Sequence, residues 1–214
     1  MLPTRGLNAQ DGVPDRVLER LLERHAPRRL ERPVLEAGTD KFTLQAMIEA
    51  RGWRWIGVHH AARVADEAQP LASQVEVQAD LRRLPFGDDA FDLVLSRALQ
   101  RPWEDDHSYA LLVSELVRTS RGLIVAAWWD GEALRPRMPW PRHTARRRGL
   151  QRAALRELFE DAGASVVEWR HSFRFVSQNA WLVARKRAAV QRPVIQRPLL
   201  QAALPHTRLG PLGA

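Results

Sequence analysis

Arg32-Pro-Val-Leu-Glu-Ala-Gly-Thr-Asp-Lys-Phe-Thr-Leu44 decides how the rest of the chain is read. Its first half, Pro33 to Gly38, is a short apolar run of the length and bounds of a buried strand. Its second half has the pattern of a helix starting near Lys41. Gly38 between them marks a tight turn, because glycine takes positive φ without a Cβ penalty. A strand that passes through such a turn into a helix is where doubly wound α/β proteins hold a nucleotide-like ligand.

Outward from this stretch, strand and helix patterns alternate. Upstream, Asp15 to Arg32 carries Val17, Leu18, Leu21, Leu22 and Leu30 among charges, which predicts an amphipathic helix. Downstream, Lys41–Arg51 is a helix stopped by Gly52. Trp55–Val58 is a second strand and Ala61–Ala68 a helix. Val75–Ala79 is a third strand and Phe91–Ser96 a fourth. Ser108–Thr119 is a helix with Leu111, Leu112 and Leu116 on one face. Gly122–Trp128 is a fifth strand, Leu150 or Gln151 to Ala162 a helix ended by Gly163, and Ser165–Trp169 and Ala180–Ala184 are final strands. Such alternation, with near-continuous apolar strands, predicts an α/β fold: a mostly parallel, doubly wound sheet with helices on both faces. The domain spans residues 14–186. Residues 1–13 read as a flexible N-terminus. Residues 187–214, rich in Arg-Pro and Leu-Pro, read as a disordered or docking tail.

Composition bounds the function classes. The 214 residues include no cysteine, which excludes disulfides, thiolate metal sites and cysteine nucleophiles. No run approaches the roughly 18 apolar residues of a membrane span. The N-terminus lacks the apolar core of a secretory signal, so a cytoplasmic location is expected. The net charge is +8, and Lys41 and Lys186 are the only lysines, so arginine carries the excess. Many arginines lie among acids within helices and read as a solvated surface. The stretch Arg135–Arg152, in which arginines interleave with Trp140 and His143, is the candidate for an anionic partner. It carries no nucleic-acid-binding signature, so nucleic acid is not expected.

Right-handed crossovers place the C-terminal strand ends on one edge, where such sheets bind ligands. That edge collects Glu36 to Asp40, Thr39 among them, around the end of strand one, and His59 and His60 after strand two. Asp80 and Leu81 follow strand three, and Ser96 to Trp103 follow strand four. Two adjacent histidines on a strand end point to opposite sides and have no evident third ligand, so no metal site is expected.

Those four places, in that order, resemble the class I S-adenosylmethionine-dependent methyltransferases, in particular the broad group acting on small molecules. Val34-Leu-Glu-Ala-Gly38 with Phe42-Thr-Leu44 resembles the family's first strand and helix. Trp55-Ile-Gly-Val58 resembles the second strand. Asp80-Leu-Arg-Arg-Leu-Pro-Phe-Gly-Asp-Asp-Ala-Phe-Asp-Leu-Val-Leu-Ser96 is the strongest stretch. Ser114–Arg118, Gly122–Val125 and Arg156–Gly163 continue the likeness, which covers about residues 30–186. The resemblance implies a Rossmann-like sheet of seven strands with the last antiparallel, and S-adenosylmethionine laid across the first three strand ends. It implies that Glu36 and Gly38 flank the methionine part, that His59 faces the ribose, and that Asp80 and Leu81 face the adenine. Thr39 and Ser96 complete the expected cofactor site.

Three positions depart from the family pattern. The glycine turn is shortened to Gly38-Thr-Asp-Lys41, and Asp40 reads either as a helix cap or as a ligand contact. His59 stands where the family usually has an acid; a neutral histidine accepts one hydrogen bond where a carboxylate accepts two from vicinal hydroxyls. Arg97-Ala-Leu-Gln-Arg-Pro-Trp103 replaces an aromatic or histidine-rich segment, and Trp103 reads as pocket wall or as packing. Asp80 likewise reads as adenine contact or turn cap. No catalytic residue is assigned, because methyl transfer rests largely on proximity and orientation; His107, His143 and His171 are base candidates by residue type alone. Two functions follow: a small-molecule methyltransferase with a weakened cofactor site, or an inactive pseudoenzyme serving as a binding or assembly subunit for a protein partner.

Overall fold

The structure, a computed structural model, describes residues 16–38, 44–60, 75–101, 103–132, 149–171 and 179–187. The predicted helix at 61–68, most of the Arg135–Arg152 stretch, both tails, Thr39, Asp40 and His143 lie outside the described residues. Seven strands form one sheet: β1 (Val34–Ala37), β2 (Trp55–His60), β3 (Val75–Ala79), β4 (Phe91–Ser96), β5 (Ser120–Trp129), β6 (Ala164–His171) and β7 (Asn179–Lys186). Their order is β3-β2-β1-β4-β5-β7-β6. β7 runs antiparallel to β5 and β6, and the other pairings are parallel. The order reverses between β1 and β4, which opens a crevice at their C-terminal ends.

Helices α1 (Arg16–His25), α2 (Gln45–Glu49), α3 (Asp106–Thr119) and α4 (Arg152–Asp161) cover the two faces. On one face Leu18, Leu21 and Leu22 of α1 and Ile48 of α2 pack on Val34, Leu93, Val125 and Trp181. On the other, Leu112 and Leu116 of α3 and Leu155 and Phe159 of α4 pack on Leu35, Val94, Ile124 and Leu182. This double cover is why β1 is buried at all four positions and reads as an unbroken apolar run. No helix among the described residues is long and apolar enough to cross a membrane.

Several boundaries differ from the sequence expectation. Helix α1 stops at His25, not Arg32. Ala26 N–H still reaches the Leu22 carbonyl at 2.9 Å, but Pro27 has no N–H with which to continue. Helix α3 starts at Asp106, because the Asp105 carboxylate accepts the Ser108 N–H and caps it. Leu112 and Leu116 are buried, whereas Leu111 is 39% exposed, since i and i+1 do not share a helix face. β2 runs on through His59 and His60, where the expected strand ended at Val58.

Two polar networks hold the frame. Glu115 of α3 accepts the Leu84 N–H at 2.7 Å and pairs with Arg118. Arg118 also donates to the carbonyls of Leu84 and Phe86 and to Asp88 at 2.8 Å. The turn Leu84-Pro-Phe-Gly-Asp88 is thereby fixed to α3. In the second network Lys186 of β7 donates to Asp89 at 2.5 Å and to the carbonyls of Arg118 and Ser120. Asp89 sits at φ +54°, a conformation that aspartate tolerates better than most residues.

Helix α1 is pinned to the edge strand β6 through Glu168, which meets His25 at 2.6 Å, Arg24 at 3.0 Å and Arg170. Burial pushes the Glu168 carboxyl up, but hydrogen bonds from His25 and Arg170 and the charges of Arg170 and Arg24 pull it down to about 2. A depressed folded-state pKa stabilises above the unfolded value of 4.5, and that stability is lost as pH falls from 4.5 towards 2. With screening by solvent at the half-exposed arginines, wild type is expected to lose about 2 kcal/mol more than Glu168→Gln between about pH 5 and pH 2.5. Urea unfolding at the two pH values measures this, and equal losses in both proteins would remove Glu168 from the acid response.

Candidate functional site

The crevice between β1 and β4 is built around Gly38. It follows β1 at φ +80°, and its N–H donates to the Val58 carbonyl at 3.0 Å, joining the ends of β1 and β2. A Cβ at this position would lie 2.6 Å from Ala98 Cβ and 3.0 Å from Leu81 Cδ1. The segments that follow β1, β3 and β4 therefore converge on one glycine, which answers both a backbone and a packing demand.

Of the residues expected around it, those that the structure describes lie at this edge, and Glu36, Ser96, Asp80 and His59 have protein partners already in hand. Glu36 is buried, and its Oε2 accepts the Trp55 indole N–H at 2.9 Å. Ser96 is buried; its hydroxyl donates to the Ala37 carbonyl and accepts the Ala98 N–H, both at 3.1 Å. The Arg97 N–H also reaches the Ala37 carbonyl, at 3.2 Å. Ser96 thus braces the crevice from below. Asp80 accepts the Arg82 N–H at 2.9 Å and pairs with the Arg82 guanidinium at 3.0 Å, so the turn-capping role is present in the structure. The Leu81 side chain is fully buried. Trp103 packs against the core, with its indole N–H on the Ala98 carbonyl at 3.0 Å and the Arg82 guanidinium carbon 5.8 Å from its ring centre.

His59, one residue past the last β1–β2 pair, stands on the edge with Nε2 3.5 Å from a Glu76 carboxylate oxygen. Glu76 comes from β3, three residues from its end. A carboxylate thus stands beside this histidine, supplied from the neighbouring strand. Sequence reasoning passed over Glu76 because it sits inside a strand and not at a strand end.

The edge continues past the crevice on the antiparallel side. Trp129 donates from its indole to the Gln100 carbonyl at 2.7 Å, and Gln100 meets Asn179 at 2.6 Å, which ties the 3-10 turn Ala98–Gln100 to β5 and β7. Just beyond β5, Asp130 is fully buried and accepts from His171 Nε2 at 2.6 Å, Arg152 at 2.9 Å and the Glu132 N–H at 2.9 Å. Burial alone would raise the Asp130 carboxyl, and the hydrogen bonds from His171, Glu132 and Arg152 outweigh it and lower it. An ionised carboxylate only accepts, so Nε2 of His171 carries the proton shared with Asp130. Asp130 and Arg152 are partners that residue type alone did not reveal. His107 begins α3. Among the described residues no group of three or more histidine, aspartate and glutamate side chains is arranged to hold a metal ion.

Residues 35–122 match the family model of the methyltransferase domain. No curated protein is similar enough in sequence to match. Among solved structures, the chain is similar to a methyltransferase of Streptomyces caelestis at 16% identity and a TM-score of 0.64, over 85% of this chain and 100% of that one. It is similar to the Burkholderia thailandensis 1,6-didemethyltoxoflavin-N1-methyltransferase, solved with 1,6-didemethyltoxoflavin and S-adenosylhomocysteine, at 20% identity and a TM-score of 0.61, over 84% and 80%. A Haloferax volcanii methyltransferase solved with a methyltransferase activator matches at 19% identity and a TM-score of 0.59, over 83% and 95%. Residues 35–122 are thus similar to the methyltransferase domain, and the seven-stranded sheet has the fold of the solved S-adenosylmethionine-dependent methyltransferases.

Proposed function

We propose that the protein is an S-adenosylmethionine-dependent methyltransferase acting on a small molecule, with a weakened cofactor site. The observation that carries this reading is the convergence on Gly38 of the segments following β1, β3 and β4, at the crevice where the strand order reverses. The donor set fits the group. Glu76 beside His59 offers the paired acceptors that vicinal ribose hydroxyls need. Glu36 and Gly38 would flank the amino-acid part, with Thr39 next in the chain. Asp80 and the backbone at Leu81 would face the adenine, and Ser96 would keep the crevice floor in place. When bound, the cofactor supplies an electrophilic methyl group on a sulfonium, and the chain's work is to bind and orient it beside the acceptor.

The site is weakened because its carboxylates are already engaged within the protein. Asp80 must share its oxygens with Arg82, and Glu36 holds Trp55. Each contact that has to be shared lowers affinity by about 1–3 kcal/mol. These internal bonds equally favour a second reading, an inactive fold kept as a subunit for a protein partner, with residues 135–152 and 187–214 as the segments that would meet it.

Calorimetric titration with S-adenosylmethionine and S-adenosylhomocysteine separates the two. The enzyme reading expects micromolar binding that falls about tenfold in both Glu76→Gln and Asp80→Ala. Absence of heat and of thermal stabilisation at millimolar ligand would leave only the subunit reading.

A further inference from the structure

Arg97 is the one arginine among the described residues that is not exposed and whose side chain nonetheless has neither a hydrogen bond nor a carboxylate. Its Nε is buried without an acceptor. Other partly buried arginines have a partner: Arg82 has Asp80, Arg118 has Glu115 and Asp88, Arg51 has the Met47 carbonyl, and Arg152, whose Nε is also buried without an acceptor, has Asp130 through its Nη2. A buried donor left open on a permanent charge is uncommon, because its desolvation is not repaid. What steadies Arg97 in this state is the face of Trp181, whose ring centre lies 5.5 Å from the guanidinium carbon.

Its place is informative. The Arg97 backbone bonds to Ala37 at the β1–β4 crevice. Trp181 pairs with Ala127 of β5, one residue past the Ser96–Ala126 pair. The side chain therefore reaches from the crevice across the ends of β5 and β7. If the adenine lies at β3 and the ribose at β2, the strand order brings the far end of the cofactor to β1 and the methyl acceptor to β4 and β5. Arg97 stands where these two meet.

We propose that Arg97 is a carboxylate-binding residue of the ligand site, pre-positioned on Trp181 to receive an acid from the cofactor's amino-acid end or from the methyl acceptor. This rests on the cofactor reading above. A guanidinium suits the task because its planar fork takes a carboxylate through two parallel hydrogen bonds.

The test titrates wild type, Arg97→Gln and Arg97→Lys with S-adenosylhomocysteine and with 5′-methylthioadenosine, which keeps the adenosyl thioether and lacks the amino-acid arm. Benzoate is then titrated into each protein saturated with S-adenosylhomocysteine. If the acid is the cofactor's, Arg97→Gln weakens S-adenosylhomocysteine on the order of 10- to 100-fold, leaves 5′-methylthioadenosine within about twofold, and Arg97→Lys falls between. If the acid is the acceptor's, both adenosyl ligands bind all three proteins alike, and benzoate binding by wild type is lost in Arg97→Gln. Arg97→Gln matching wild type for all three ligands overturns the proposal and leaves the cofactor reading standing. Failure of both adenosyl ligands to bind wild type overturns the two together.

Discussion

Gly38→Ala is expected to cost about 3–4 kcal/mol of stability and to weaken whatever the crevice binds. Two separate penalties combine. A left-handed backbone costs an L-residue roughly 1–2 kcal/mol, and Gly38 sits at φ +80°. Overpacking adds roughly 1–3 kcal/mol, because the new methyl would stand 2.6 Å from Ala98 Cβ and 2.9 Å from its Cα. Backbone as well as side chain lies in the way, so rotating a side chain cannot relieve the clash; the 3-10 turn itself must lift. That turn is held by Trp129 and, through Gln100, by Asn179, so it cannot lift freely. Urea unfolding gives the total. Ala98→Gly in the same background should relieve the part of the steric share owed to the Ala98 methyl and leave the clash with its Cα and the backbone share, so the double variant recovers only part of the loss. A Gly38→Ala protein as stable as wild type would show that the turn yields easily and that the convergence on Gly38 is loose.

Glu115→Ala is the second large effect, about 2–4 kcal/mol. The substitution removes more than one ion pair. It strips the Leu84 N–H of its acceptor and the Arg118 guanidinium of its main partner. Asp88 is mostly exposed and cannot take over both duties. The hydrogen bond from Arg118 lowers the Glu115 carboxyl from its ordinary value, against burial. Its contribution is accordingly full above the ordinary glutamate range and declines as acid titrates it. Glu115→Gln should retain part of the stability through its amide oxygen and lose the acid dependence. Amide hydrogen exchange at Leu84 and Phe86 provides the local readout, and unchanged protection there would place the loss elsewhere in α3.

Much of the architecture was legible because its signals are local. β4 is the span the sequence predicts, an apolar run bounded by the Asp88-Asp89 turn and Arg97. β1 and the order of the elements follow from apolar runs separated by Gly38, Gly52 and Gly163, all three at positive φ. What the sequence hid was non-local or ambiguous by nature. Asp130, Arg152 and His171 lie 19 to 41 residues apart and meet only because β5 and β6 end on the same edge. Ser96 and Asp80 are polar residues at strand ends, a pattern shared by ligand contacts and turn braces, and only the partner reveals the brace. His59 and His60 prolong β2 because neighbouring backbone in β3 is there to pair with them, which polarity along the chain does not report. Leu111 was grouped with Leu112 by adjacency, whereas a helix sorts its residues by angle.

The three contacts made by Lys186 bear on how the molecule meets reagents. An ammonium group has three protons, and here one points to Asp89, one to the Arg118 carbonyl and one to the Ser120 carbonyl. Acylation requires an accessible amine, and here the amine is held by three acceptors until the end of β7 parts from the start of β5. Lys41 is the only other lysine in the chain. Amine-directed chemistry on this protein therefore has two side-chain targets, and the one on β7 becomes a chemical clock for the opening of the antiparallel half of the sheet.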